Sequence, residues 1–242
     1  CIAHSIELRG RRFTVFFNAD CMGKSIQGAG GALVIGSVFE SIVQRTQMSA
    51  RMSSTFPEVW LKGAFMQLQR VFEAFEGGML VTIWFGIADD ETGTLYYINA
   101  DHPPPVLLRG GHGAFLEGPV YSKLGIDLGQ EQWREHREDR ELSVSGFQLQ
   151  KGDLLVLGSD GRDDLVLGHD ERGERIVNED EHIFRSLTEE CEGNLPQIYE
   201  NLLKVGDLLD DLSLMSVRYS GEGVNPGELS EADRRLIQEI KE

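Results

Sequence analysis

The stretch "FTVFFNADCMGKSIQGAGGALV", residues 13–34, runs from an apolar segment through a polar turn into the start of a helix. Its centre, Asn18 to Ser25, almost spells the phosphate-binding loop G-x-x-x-x-G-K-[ST], with Asn18 where the first glycine belongs. Two readings compete: a nucleotide cradle, or a turn built around the carboxylate of Asp20. A cradle relies on glycine to let the backbone N–H groups approach an anion, and Asp20 would set a negative charge among the phosphates. "LLVLGSD", 154–160, mimics the acidic strand that accompanies such loops, but buried strands often end in Asp. The turn reading is the stronger.

Working outward, "HSIELRGRRFTVFFNAD" reads as a hairpin turning at Arg9-Gly10-Arg11. From Ser25 to about Met48, Ile26, Leu33, Val34, Val38 and Ile42 recur at helical spacing. Residues 57–76 form a second amphipathic helix with Pro57 in its first turn. "MLVTIWFGIADDETGTLYYINADHPPPVLLR", 79–109, reads as a β-meander turning at Asp89–Gly93 and broken at Pro103–Pro105. "GAFLEG" and "RELSVSGFQLQ" add strands, and "GDLLVLGSDG" gives a short buried strand ending in an acid. Residues 180–204 read as two helices split near Gly193, and "DDLSLMSVRYS" as a closing strand. Beyond it lie a Gly/Pro linker and a short charged helix capped by Ser230. Two long helices among antiparallel hairpins predict an α+β layered sandwich and not a parallel βαβ sheet.

The 242 residues carry 40 acids against 23 bases, a formal charge of −17, which argues against nucleic acid or an anionic membrane as partner. No apolar run of about 18 residues is present, so no membrane contact is expected of this segment. Cys1, Cys21 and Cys191 match no C-x-x-C spacing, and reduced thiols in a cytoplasmic compartment are the expectation. Six residues after Cys21 stands Gln27, and six after Cys191 stands Gln197, so there is no C-x₅-R loop for a cysteine phosphatase.

Three aspartates share one kind of position. Asp20 follows the run "FTVFF", Asp160 ends "DLLVLGS", and Asp210 opens "DLSLMSV". Each alone is readily a turn residue at a strand end. Three that converged at a sheet rim would repel one another unless a cation lay between them, and an all-oxygen set favours Mg²⁺ or Mn²⁺ over zinc.

Four blocks, "NADCMGKS…GAL", "NADHPPPVLLR", "GDLLVLGSDG" and "DDLSLMSVRY", occur in an order that resembles the bacterial metal-dependent protein phosphatases (PPM, type 2C), in the SpoIIE/RsbU-like branch. The resemblance covers about residues 1–219, with 220–242 as a charged tail. It implies an α-β-β-α sandwich flanked by helices, and a serine/threonine phosphatase domain of a bacterial signalling protein. In that picture Asp20 bridges two Mn²⁺ or Mg²⁺ ions, the Cys21 backbone carbonyl binds one of them, and Asp160 and Asp210 are further ligands. Asp211 would support Asp210, Gly23 would permit the tight turn, and Lys24 would either face the substrate phosphate or cap a helix start. Asn99 and His102 would support the sheet. The implied substrate is a phosphoserine or phosphothreonine on a regulatory protein, such as an anti-sigma-factor antagonist, and a homodimer is compatible with it.

Ser25 stands where the family has Gly, and Asp101 where it has the Gly of Asn-Ala-Gly-His. The family's further metal-binding Asp, in a Gly-Gly-Asp motif before the first strand, would fall upstream of Cys1. The chain therefore reads as a piece of a longer protein, or as a degenerate pseudophosphatase acting as a regulated binding module.

Overall fold

The computed structural model describes residues 1–23, 26–126, 142–178 and 180–221. The predicted tail lies outside the described residues. The chain divides into two compact units.

One unit draws on the described residues of Ile2–Asp101 and Gly118–Lys151. Its sheet holds β1 (Ile2–Leu8), β2 (Arg11–Met22), β3 (Leu80–Asp89) and β4 (Thr94–Ala100) in sequential antiparallel order. The two-residue turn between β1 and β2 places Arg9 at φ 54° and Gly10 at φ 75°, the geometry that matches strand twist in a hairpin. The β3–β4 turn is organised by Asp89, whose Oδ1 accepts the N–H groups of Glu91 and Thr92 at 2.9 and 3.0 Å. Arg11 holds its other oxygen at 2.7 Å.

Helices α1 (Ile26–Met48) and α3 (Pro57–Glu73), joined by the short α2 (Ala50–Ser53), supply the apolar layer against this sheet. Phe39, Ile42 and Val43 of α1 and Trp60, Leu61, Leu68 and Phe72 of α3 are buried with Phe17 and Phe85. Phe17, Phe39 and Phe85 meet edge-to-face at 5.0–5.9 Å, and the Trp60 indole N–H donates to Thr46 Oγ1 at 2.8 Å. The buried stripe of α1 runs through Ile35, Phe39, Ile42 and Thr46. Leu33, expected on that stripe, is 74% exposed; it is Gly31 that faces β2, where an added Cβ would lie 3.0 Å from the Cys21 Cβ.

The other unit comprises Cys1, His102–Glu117 and Gly152–Ser220. Its antiparallel four-stranded sheet orders β13 (Leu214–Arg218), β9 (Leu154–Gly158), β5 (Val106–Arg109) and β6 (His112–Phe115). The expected meander over 79–109 therefore ends at β4: after the prolines, β5 pairs with β9 and β6 instead. Helices α4 (His182–Glu190) and α5 (Leu195–Val205) bury Phe184, Leu187, Ile198 and Leu202 against Val106, Leu108, Leu154 and Val156. They part at Glu192 and Gly193, both with positive φ, and the Asn194 side chain caps α5 by accepting the Gln197 N–H at 3.1 Å. A separate three-stranded sheet, β11 (Arg175–Val177), β10 (Leu165–His169) and β12 (Asp207–Leu208), was not expected from the sequence. The short strands β7 (Val120–Tyr121) and β8 (Ser145–Gln148) complete the first unit's sheet beside β4. Sheets flanked by helices make this the expected α+β class.

Candidate functional site

Asp20 does not end its strand. β2 continues through Met22, and Asp20 and Cys21 pair with Thr82 and Val81 of β3. Gly23, at φ 124°, breaks the strand, and the N-terminal turn of α1 packs back on the break. A side chain at Gly28 would lie 2.8 Å from the Gly23 carbonyl and 3.2 Å from the Cys21 carbonyl, so glycine lets the helix start sit directly on this turn. Burial, and then the Asp20 charge, push the Cys21 thiol up to about 11, so it is protonated and no nucleophile at neutral pH. Lys24 lies outside the described residues.

Asp160 and Asp210 belong to the other unit, and their turns are bound together. A 3₁₀ turn, Asp160–Arg162, follows β9 directly, and the Asp160 carbonyl accepts the N–H groups of Asp163 and Asp164 at 2.8 and 3.0 Å. Ser159 N–H donates to the Ser213 carbonyl at 3.0 Å, and the Ser159 hydroxyl donates to the Asp211 carbonyl at 3.3 Å. Gly161 is pressed against residues 210–211: a Cβ there would stand 2.5 Å from the Asp211 carbonyl oxygen. Asp210 Oδ1 accepts the Asp211 N–H at 2.8 Å.

The electrostatics of this corner are those of an acid cluster. Burial first, then the charges of Asp160 and Asp210, raise the pKa of Asp164. Asp164 was missed in the sequence. Its signal was the second acidic pair in a chain segment already expected to hold a metal. Asp160 Oδ1 is buried and has no hydrogen-bond partner among the described residues. A carboxylate oxygen in that state fits a hard cation, which would satisfy it and relieve the repulsion. Among the described residues, no three His, Cys, Asp or Glu groups already converge closely enough to hold an ion. A cleft of about 500 Å³ opens beside Asp210 and Asp211, walled by Tyr199, Leu208, Leu209 and Leu212.

Behind the turn lies Arg162, with its side chain 1% exposed. Burial lowers its pKa against the pull of Asp163, whose carboxylate it meets at 3.0 Å. Asn99 and His102 are buried, in keeping with a supporting role. Burial, and then the Arg162 charge, hold His102 down at about 3, so its imidazole is neutral at physiological pH. Asp101 finds its explanation here. Its φ is 51°, a left-handed conformation that glycine adopts freely and that Asp tolerates better than most residues, and Lys123 lies 3.4 Å from its carboxylate.

The fold is that of the PP2C-type phosphatases. The PP2C domain of SiaA from Pseudomonas aeruginosa superposes with a TM-score of 0.62 at 14% identity, over 90% of this chain and 80% of that one. The RsbU and RsbW domains of Rv1364c from Mycobacterium tuberculosis give 0.60 at 16%, over 92% of this chain and 57% of that one. SpoIIE from Bacillus subtilis, solved as its PP2C domain with a fragment of its regulatory domain, gives 0.59 at 16%, over 93% and 58%. This chain thus spans less than two thirds of the length of the last two. No curated protein matches it by sequence. The profile of the family Stage II sporulation protein E (SpoIIE) matches residues 10–220, and the chain belongs to that family.

Proposed function

We propose that this chain is a metal-dependent serine/threonine protein phosphatase domain of a bacterial, cytoplasmic signalling protein. The observation that carries the proposal is the buried Asp160 Oδ1, which has no hydrogen-bond partner among the described residues and whose carboxylate charge is felt, with that of Asp210, at Asp164. The ligand set is taken from the family resemblance: Asp160 and Asp210, with Asp20 and the Cys21 carbonyl, would hold Mn²⁺ or Mg²⁺. Such cations, when bound, neutralise the phosphoryl group and acidify water at neutral pH. The chain's own residues fix and present these carboxylates. Ser159 and Gly161 lock the Asp160 turn against Asp210–Asp211. Lys24 is assigned to the substrate phosphate on the same analogy.

No helix among the described residues is long and apolar enough to cross a membrane. A phosphorylated regulatory protein is the proposed substrate, by analogy with a neighbour whose chain joins an RsbU to an RsbW domain.

A second reading, a pseudophosphatase that binds partners without turnover, is favoured by one observation: no three candidate ligands converge among the described residues. Hydrolysis of p-nitrophenyl phosphate by the natural full-length protein, with and without Mn²⁺, separates the two. Manganese-dependent release supports the enzyme. Its absence, with binding of a regulatory protein retained, supports the pseudophosphatase.

A further inference from the structure

We propose that Arg162 is the positioning residue for Asp160, a strut that fixes the backbone turn presenting that carboxylate. The inference rests on the metal-site reading above only for its functional consequence. Its structural content stands on contacts within one unit.

An arginine sealed from solvent is an expensive way to fill space, since the guanidinium gives up its hydration and one short ion pair rarely restores it. What it adds is direction. Arg162 Nε donates to Asp163 Oδ2 at 3.0 Å, and Nη1 donates to the Pro104 carbonyl at 2.9 Å. Its Cζ lies 4.5 Å from the centroid of the Phe184 ring and 5.8 Å from that of Phe115. The planar fork is thus held on its face by aromatic rings and on its edge by two oxygens, one from the loop before β5 and one from the residue that closes the Asp160 turn. Asp163 is the partner that matters. Its N–H donates to the Asp160 carbonyl at 2.8 Å, so a pull on Asp163 sets the orientation of the Asp160 peptide. Arg162 therefore couples the proline loop at 103–105 to the candidate ligand two residues upstream of it.

The test compares the full chain with Arg162→Met, Arg162→Lys and Asp163→Asn. Methionine fills the aromatic slot but leaves the Asp163 carboxylate and the Pro104 carbonyl without their donor, so Arg162→Met should lower the thermal midpoint. Lysine keeps the charge but lacks the fork, and should not rescue. Two readouts follow. Hydrogen exchange in metal-free protein should show the Asp163 and Asp164 amides exchanging at least tenfold faster in both Arg162 variants, with β9 amides unchanged, and a smaller rise in Asp163→Asn. Calorimetric titration with Mn²⁺ alone should show affinity weakened tenfold or more in Arg162→Met. Unchanged exchange at Asp163 and Asp164 in folded Arg162→Met overturns the strut, whatever the metal does. If Arg162→Met fails to fold, wild-type exchange at Asp163 unaffected by Asp163→Asn overturns it equally. Equal Mn²⁺ binding by wild type and Asp160→Asn would instead sink the metal-site reading and leave the exchange result to judge the strut.

Discussion

The Ser159 hydroxyl accepts the Ser213 N–H at 3.0 Å, and with the return bond from the Ser159 N–H to the Ser213 carbonyl, also 3.0 Å, it joins the end of β9 to the approach of β13. It lies between the two acids assigned to metal, Asp160 one residue after Ser159 and Asp210 three residues before Ser213. Ser159→Ala removes the acceptor of a half-buried donor and the hydroxyl that donates to the Asp211 carbonyl, which should lower stability by about 1 kcal/mol. A loss of Mn²⁺ affinity beyond what that destabilisation accounts for, read by calorimetry at a temperature where the variant is folded, is the expected second effect.

Gly161→Ala should be worse. The added Cβ meets backbone oxygens of Asp211 and Asp210 at 2.5 and 3.2 Å, and backbone cannot swing aside as a long side chain can. Overpacking of this kind costs about 1–3 kcal/mol, and here the displaced atoms belong to the site. Urea unfolding and phosphatase assays should fall together. A variant as stable and active as wild type would show that the two turns are not locked.

At the start of α1, neighbouring glycines should behave in opposite ways. Gly30 has only Met79 Cε within reach at 3.5 Å, so Gly30→Ala should stabilise by up to about 1 kcal/mol through helix propensity. Gly28→Ala drives a methyl toward the Gly23 and Cys21 carbonyls and should destabilise while displacing the proposed carbonyl ligand. Thermal midpoints with and without Mn²⁺ distinguish the two effects. If Gly28→Ala is neutral in both, the helix start does not control this turn.

Stability should fall in mild acid because of His102. Its folded pKa, about 3, lies below the unfolded value of about 6.5, so between those values the unfolded chain binds a proton that the native chain refuses. The stabilisation is complete above about pH 6.5 and is lost at about 1.4 kcal/mol per pH unit as the pH drops toward 3. His102→Gln should flatten that component of the urea midpoint measured from pH 7 to 4. An unchanged slope would contradict the neutral, buried state of the ring.

How much of this was legible in the sequence follows from the range of each signal. The Arg9-Gly10 turn, the Pro57 helix and the run into Asp160 are written in local chemistry, and each formed as read. Sheet membership is not local. The apolar run in "VLLR" marks a strand but cannot say that β5 leaves β4 for β9. β10 and β11 escaped because they are short, and Leu167, Ile176 and Val177 are exposed where apolar residues are expected inside. Asp101 was opaque until its left-handed backbone was seen. Asp164 and Arg162 also depend on neighbours far along the chain, Asp210 for one and Pro104 and Phe184 for the other, which no local pattern reveals.

The measurement that bears most directly on the central claim is phosphate release from a phosphoserine peptide by the natural full-length protein and by its Asp160→Asn variant, at saturating Mn²⁺, alongside thermal unfolding without metal. Removing a mutually repelling carboxylate should leave the metal-free midpoint unchanged or higher. Turnover should fall at least about a hundredfold, more than the loss of an outer partner of a metal ligand costs. Manganese-dependent turnover that survives in Asp160→Asn would contradict the assignment.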